Sequence, residues 1–299
     1  MSTRTHAAED VSYWQTVKKL LLFSLPMVAN SVLGILPSLA SIWILSRLGK
    51  IQLAAAAIAT PTFYTVLTVF VTGFYAVGIK VGYCYGQDKQ QAEIGDWVRH
   101  GFVMALLLSV PAVAVLLNVH HLLLWLGQDP RLVKIAEPFF MYGAFGLIIM
   151  LFSSVLNQYF IGIGHPRVAL ILSVITLPLV VALSYFFVLG RYHFPQLGLA
   201  GINCAALIVD SIVLLCGIAI ATLAKWSRPY RVFSDHWHVT IKKCMELVHL
   251  GWPISIQVGG EILCMTMATY LLGLFGVAAL AASQITGQFV LVFIMISMG

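Results

Sequence analysis

Two carboxylates lie where acidic side chains are rare, deep inside long apolar stretches of the sequence. Glu261 is near the middle of residues 247–276, and Asp210 is about halfway along the apolar run at 197–224. A charge at the centre of a bilayer is costly, so such residues usually face a protein interior or a water-filled path. Because no Lys or Arg lies at similar depth, we expect these carboxylates to bind a proton or another cation. The alternative for Glu261 is a protonated carboxyl that hydrogen-bonds a neighbouring helix.

Composition places the two carboxylates in a membrane protein. Of the 299 residues, 60% are hydrophobic and 9% are charged, and the mean hydropathy is +0.95. Soluble domains carry about 25% charged residues. We therefore predict an all-α polytopic membrane protein. The first 19 residues are polar and lead directly into an apolar run, so we expect no cleaved signal peptide.

Eight apolar runs are long enough to be transmembrane helices. Gly and Pro occur in the connections between them, because neither residue continues a helix comfortably. The predicted spans cover residues 20–46, 53–83, 97–126, 135–163, 168–190, 197–224, 243–273 and 277–299. A longer polar connection separates the sixth span from the seventh.

The distribution of basic residues predicts the orientation. With a cytoplasmic N-terminus, twelve of the 17 Lys and Arg residues lie on the cytoplasmic side and five lie outside. The positive-inside rule favours this arrangement, in the plasma membrane or a bacterial inner membrane, and the net charge of +6 then reflects topology. No aromatic groove or nucleic-acid motif accompanies the charge, so we expect no nucleic-acid partner.

An internal repeat indicates two related halves. At an offset of 227 residues, Pro26 aligns with Pro253 and Gly49 with Gly276, and the tripeptide Leu-Ala-Ala begins four residues after each of these glycines. Transporters are often built from duplicated halves with the binding site between them. The repeat predicts a first lobe of six helices at 1–224, a cytoplasmic linker at 225–242 and the start of a second lobe at 243–299. A second lobe of equal size needs four more helices, so we expect the sequence to be truncated within it.

The sequence resembles the multidrug and toxic compound extrusion (MATE) antiporters along nearly its whole length. The resemblance rests on an ordered series of short motifs: LPMVANSV, SRLGKIQLAAAAIA, YGQDKQQAEIGDWVRHG, WLGQDPRLVKIAEPFF, NQYFIGIGHPR, GRYHFPQLGLAGIN and GWPISIQVGGEILCMTMATYLLGLFGVAALAASQIT. It implies two six-helix lobes around a V-shaped cavity, and export of cationic, drug-like compounds in exchange for H⁺ or Na⁺. We expect no cofactor besides this coupling ion, and a monomer whose partners are small organic cations and the lipid bilayer.

The resemblance also assigns roles to individual residues. Glu261 matches the membrane-buried glutamate with which the seventh helix of the family binds cations. Gln257 lies four residues earlier and so shares its helical face. Gln284 and Gln288 match polar positions of the eighth helix that face the cavity, and interhelical hydrogen bonding is the alternative for both.

Four further residues bear on this interpretation. Ser41 occupies the position at which many bacterial members carry a first-helix aspartate. We therefore predict the cation site at Glu261 in the second lobe rather than in the first helix. Asp210 matches no family acid, so its assignment to cation binding rests on depth alone. Pro26 and Pro253 lie inside predicted spans, where proline removes a backbone hydrogen bond and bends a helix. We expect both to bend helices during alternating access, with simple helix irregularity as the alternative.

Other functional classes find less support in the sequence. A flippase for lipid-linked precursors has a related architecture and is the alternative function, but such proteins usually line the cavity with basic residues, and none lies in the middle of a span here. An intramembrane enzyme would need a catalytic set such as HExxH, which the sequence lacks. The histidine pairs and the five scattered cysteines have no metal-ligand spacing, so we predict no metal site.

Overall fold

The computed structural model describes residues 36–87, 93–191, 194–230, 232–233 and 239–274. Within these residues the chain is helical and contains no strand, so the predicted all-α class is confirmed. The helices are α1 Leu36–Ser46, α2 Lys50–Thr72, α3 Tyr75–Gly86, α4 Ile94–Trp125, α5 Pro130–Gly162, α6 Pro166–Leu189, α7 Ala200–Leu223 and α8 Ile241–Leu274, with a 3-10 turn at Arg228–Tyr230 before α8.

Five helical segments are long and apolar enough to cross a membrane. They are Lys50–Gly86, Ile94–Trp125, Pro130–Gly162, Pro166–Leu189 and Ala200–Leu223. Their outward faces are apolar as well: on α4, Leu107 is 63% exposed and Val110 is 70% exposed. A helix on the surface of a soluble bundle would place polar residues there, so these faces indicate contact with lipid in a multi-pass membrane protein. Because α8 is not among the five, its crossing of the membrane stays a prediction.

The second predicted span, 53–83, consists of two helices. Between α2 and α3, Phe74 N–H donates to the carbonyl of Val71 at 3.1 Å and Ala76 N–H donates to that of Gly73 at 3.3 Å. In both bonds the carbonyl lies three residues before the N–H, whereas in a regular α-helix it lies four residues before. The regular α-helical bonding is therefore interrupted at Gly73 and Phe74. The sequence did not predict the change, because Gly73 lies among apolar residues with no neighbouring proline. The predicted span 277–299 and residues 20–35 of the first span lie outside the described residues.

Helix α5 is at the centre of the bundle and contacts α2, α3, α4, α6 and α7. Small residues permit this close packing. A Cβ at Gly143 would lie 2.7 Å from the ring of Phe63 on α2. The buried Asn203 of α7 donates from Nδ2 to the carbonyl of Phe139 on α5 at 2.8 Å. The buried Asn203 amide therefore has a hydrogen-bond partner where α7 meets α5.

Connections that alternate along the chain gather at opposite ends of the bundle. At one end, Leu199 N–H donates to Gln52 Oε1 at 3.1 Å and so joins the α6–α7 connection to α2. At the other end, Thr240 N–H donates to His100 Nε2 at 2.9 Å and joins the start of α8 to α4. We call this second end the basic end, because the predicted topology assigns most of the Lys and Arg residues to this side.

The connection from α7 to α8 is fixed to the bundle at its beginning. The Trp226 ring stacks on His165 with ring centroids 4.4 Å apart. The buried hydroxyls of Tyr159 and Ser227 lie 2.6 Å apart, within hydrogen-bonding distance. The packing of this segment resumes at Phe233, whose ring centroid lies 5.6 Å from that of Phe102 on α4.

Candidate functional site

Helix α8, which carries Glu261, crosses α2 and α3 in the antiparallel direction. At the crossing Gly251 of α8 meets Gly73, and a Cβ on Gly251 would lie 3.1 Å from the Gly73 carbonyl carbon. Further along, a Cβ on Gly259 would lie 2.7 Å from Val69 Cγ2. The two helices approach this closely because glycine carries no side chain at these contacts. One face of α8 is therefore fixed against the first lobe.

Glu261 lies on the other face of α8. It follows Gly259 by two residues, which places it about 200° further around the helix axis. Its side chain is exposed, and so is that of Gln257 one turn earlier. The described residues thus present a carboxylate and an amide together, facing away from α2. Gln284 and Gln288 lie outside the described residues, so their predicted place beside this face stays a prediction.

Asp210 lies elsewhere in the bundle, on α7. Its side chain is half-buried, and it is close enough to the Tyr64 hydroxyl of α2 for the two groups to interact electrostatically. The main neighbours of α7 are α5 and α6, whereas α8 packs on α2, α3 and α4. The structure therefore does not combine Asp210 and Glu261 into one paired-carboxylate site.

The remaining predicted positions are less informative. Ser41 donates from Oγ to the carbonyl of Pro37 at 2.8 Å, a bond within one turn of α1. Pro253 lies inside α8, two residues beyond Gly251, and its side chain is exposed. Pro26 lies outside the described residues. Bending at Pro26 and Pro253 stays a prediction.

Sequence reasoning missed a cluster of charges that joins α8 to the first lobe at the basic end. Lys243 Nζ lies 2.5 Å from Asp96 Oδ2, and Lys80 Nζ lies 2.9 Å from Glu246 Oε2. Both ammonium groups also contact the indole of Trp97, whose ring centroid lies 4.7 Å from Lys80 Nζ and 5.0 Å from Lys243 Nζ. We call these five residues the basic-end cluster.

Glu93 and His100 each contact one member of the basic-end cluster. The Glu93 carboxylate lies 3.4 Å from Lys243 Nζ as a second, longer ion pair. His100 is fully buried, and its Nε2 accepts the Thr240 N–H bond, so the proton of the neutral ring is on Nδ1. That Nδ1 donates to the Asp96 carbonyl at 2.8 Å. The spacing of Asp96 and His100, and of Lys243 and Glu246, was visible in the sequence, but their pairing partners lie far away along the chain.

Comparison with known proteins now places this bundle in a family. The family model described as MatE matches residues 26–186, more than half of the chain. The chain belongs to the MatE family. The resemblance inferred from the sequence motifs is therefore confirmed. The match includes all of α1 to α5 and most of α6.

Individual relatives agree with this assignment. The chain is 29% identical to a protein of Rhizobium meliloti named "Probable multidrug resistance protein NorM" over 294 residues, covering 98% of this chain and 62% of the relative. The fold of this chain matches a crystal structure of a MATE protein in the straight conformation, with a TM-score of 0.77 and 18% identity over 93% of this chain and 62% of the other. It also matches an outward-facing multidrug resistance MATE family transporter, with a TM-score of 0.74 and 19% identity over 93% and 62% of the two chains. The chain thus spans about three fifths of the length of the relatives it matches.

Proposed function

We propose that this chain forms part of a secondary active transporter that exports cationic, drug-like compounds in exchange for H⁺ or Na⁺. Membership of the MatE family carries the proposal, and the name of the Rhizobium meliloti relative, a probable multidrug resistance protein, supports it. The position of Glu261 adds a physical reason, because this carboxylate faces away from the helix contact that fixes α8. A ligand can therefore reach Glu261 without α8 leaving α2.

In the proposed mechanism the Glu261 carboxylate binds the coupling ion and the organic cation in turn. One negative charge neutralises one cation well, so a bound proton or Na⁺ removes the attraction for the substrate, and each ligand weakens the binding of the other equally. Gln257 supplies an amide that can accept or donate a hydrogen bond one turn away. Gln284 and Gln288 are proposed to line the same cavity, and Asp210 is proposed as a separate cation site within the first lobe.

The setting of this mechanism follows from the charge distribution. We propose that the basic end faces the cytoplasm of a cell whose plasma or inner membrane holds the protein as a monomer. Positive charge is retained on the cytoplasmic side of short connections, and the basic-end cluster, Arg167 and Lys225 all lie there. Organic cations would then leave toward the opposite side. The alternative of a lipid-linked precursor flippase finds no support in the names of the relatives.

Efflux from whole cells tests the proposal. The gene that encodes this chain, over its whole open reading frame, is expressed in a strain lacking its own drug exporters, and ethidium fluorescence is followed after energisation. We expect the wild type to lower cellular ethidium, and Glu261→Gln to lose this efflux at equal membrane levels, because the amide cannot exchange a proton. Failure of the wild type to export any of a panel of organic cations would overturn the proposed function. Wild-type efflux by Glu261→Gln would overturn the role of this carboxylate.

A further inference from the structure

We infer that the basic-end cluster holds α8 against the first lobe on one side of the membrane, and that its two ion pairs separate and re-form in each transport cycle. The inference rests on the proposed function, because only a protein that alternates between two open sides needs a contact that breaks repeatedly. The charges of the cluster, the Trp97 ring that contacts both ammonium groups and the described close contacts of α8 carry the inference.

The two ion pairs have opposite polarity. Helix α8 contributes a cation, Lys243, and one turn later an anion, Glu246, whereas the first lobe offers the anion Asp96 and the cation Lys80. A shift of α8 by one turn along its axis would bring Lys243 toward Lys80, or Glu246 toward Asp96. Repulsion between like charges opposes both displacements. The cluster therefore specifies a single closed position of α8.

Trp97 couples the two pairs to each other. Its indole is 5% exposed and has both Lys ammonium groups within 5.0 Å of its ring centroid. The negative face of an indole attracts cations, so the ring stabilises two positive charges that would otherwise repel each other. Lys80 and Trp97 belong to α3 and α4, whereas Lys243 belongs to α8, so the attraction between Trp97 and Lys243 exists only while α8 is in contact with α4.

The described close contacts of α8 with α2 and α3 lie toward the basic end of these helices. They run from Lys80 through Gly73 and Val69 to Thr65, whose hydroxyl lies 2.8 Å from that of Thr266. Beyond Thr65, α2 exposes Tyr64 and Ile51, the latter 64% accessible, among the described residues. The described contacts of α8 are thus concentrated toward the basic end, with the cluster at their edge.

The cluster is also placed where it can open. Side chains of Lys80 and Glu246 are 24% and 39% accessible, and those of Lys243 and Asp96 are 26% and 22% accessible. Water can therefore solvate the four charges once they separate, which makes such pairs far easier to break than fully buried ones. The glycine contact at Gly73 and Gly251 likewise involves no interlocking side chains that must rearrange.

Cross-linking in membrane vesicles tests the closed contact without requiring transport. Thr65→Cys and Thr266→Cys together place two thiols where the hydroxyl oxygens are 2.8 Å apart, close to disulfide geometry, and mild oxidation should join them. We expect Lys243→Met or Asp96→Asn in this background to slow cross-linking about fivefold. The variant carrying both changes should be no slower than the slower single variant, because one pair is lost in all three cases. Lys242→Met, which removes the exposed neighbouring charge, is the matched control and should cross-link at the parental rate.

The other pair gives an independent test. Lys80→Met and Glu246→Gln should show the same non-additive slowing, so a folding defect of one variant does not decide the outcome. Equal rates in Lys243→Met, Glu246→Gln and Lys242→Met would overturn the inference, as would slowing by the product of the single effects. Ethidium efflux supplies the functional reading: the cross-linked protein should lose efflux and regain it on reduction. Efflux that continues in the cross-linked protein would overturn the repeated separation of the ion pairs, but not the closed contact itself. Absence of efflux from the wild type would overturn the proposed function and leave the comparison of cross-linking rates intact.

Discussion

The hydroxyls of Thr65 and Thr266 lie 2.8 Å apart although the two residues are separated by 201 positions in the sequence. Each hydroxyl also lies 2.9 Å from the carbonyl oxygen one turn earlier in its own helix, that of Pro61 and that of Ile262. Since a hydroxyl has one proton, only one of the two can donate across the contact while the other donates within its helix. The bond thus joins α2 to α8 while one of the two hydroxyls gives up its bond to the carbonyl of its own helix.

This bond predicts a measurable contribution to stability. We expect Thr266→Val to lower the free energy of unfolding by about 1 kcal/mol, in the range found for hydrogen bonds between transmembrane helices. The measurement is thermal unfolding of the purified protein in detergent. Thr176→Val is the control, because the Thr176 hydroxyl donates within α6 at 2.7 Å in the same way and has no second hydrogen bond among the described residues. Equal effects of the two substitutions would contradict a bond across the helices.

The glycine contact predicts a difference between two neighbouring glycines of α8. Gly251→Ala places a methyl group against the Gly73 backbone, whereas Gly260→Ala finds nothing within 4 Å among the described residues. We expect Gly251→Ala to lower the free energy of unfolding by about 2 kcal/mol through overpacking. Gly260→Ala should raise it by about 0.5–1 kcal/mol, because alanine favours the helix. Comparable unfolding temperatures for the two variants would show that α8 does not cross α2 at Gly251.

Asp210 yields a prediction about charge inside the first lobe. If this carboxylate takes part in cation binding, Asp210→Asn should reduce ethidium efflux strongly at unchanged membrane levels, because the amide cannot carry the negative charge. Asp210→Glu keeps the charge and should retain most of the efflux. The measurement is the initial efflux rate, normalised to protein in the membrane. Wild-type efflux by Asp210→Asn would assign this residue a structural role beside Tyr64.

Competition at Glu261 predicts a pH dependence of substrate binding. Lowering the pH protonates the carboxyl and removes its attraction for an organic cation, so the affinity for a permanently charged dye should fall as the pH falls. Glu261→Gln has no carboxyl to protonate, so any binding that remains should not change with pH through this residue. Fluorescence titration of the purified protein across the acidic and neutral range measures both. A wild-type affinity that rises with acidity would contradict the mechanism.

The helices were largely predictable because local chemistry marks their ends. Asp129 accepts a hydrogen bond from Arg131 N–H at 2.8 Å and Pro130 follows it, which is a strong helix start. Gly190 ends α6 in a left-handed conformation with φ 66°, as glycine commonly does. Such signals lie within a few residues of the boundary that they set, so the sequence contains them directly.

The charge pairing was not predictable in the same way. In the sequence, Lys80, Asp96, Lys243 and Glu246 are charges near helix ends, and only the two lysines bear on the predicted topology. Their partners are 147 and 166 positions away, and the pairing depends on how α8 crosses α3 and α4. The break at Gly73 has the same origin, since it coincides with the closest approach of another helix. Contacts between distant segments determine both features.

The fixed beginning of the connection to α8 sets a limit on how far that helix can travel. Trp226 stacks on His165 and Phe233 packs on Phe102, and only the seven residues from 234 to 240 separate Phe233 from the start of α8. Fully extended, such a segment reaches about 25 Å. A displacement of α8 away from α4 would therefore first break the Thr240 bond to His100, and a displacement beyond that reach would also separate Phe233 from Phe102.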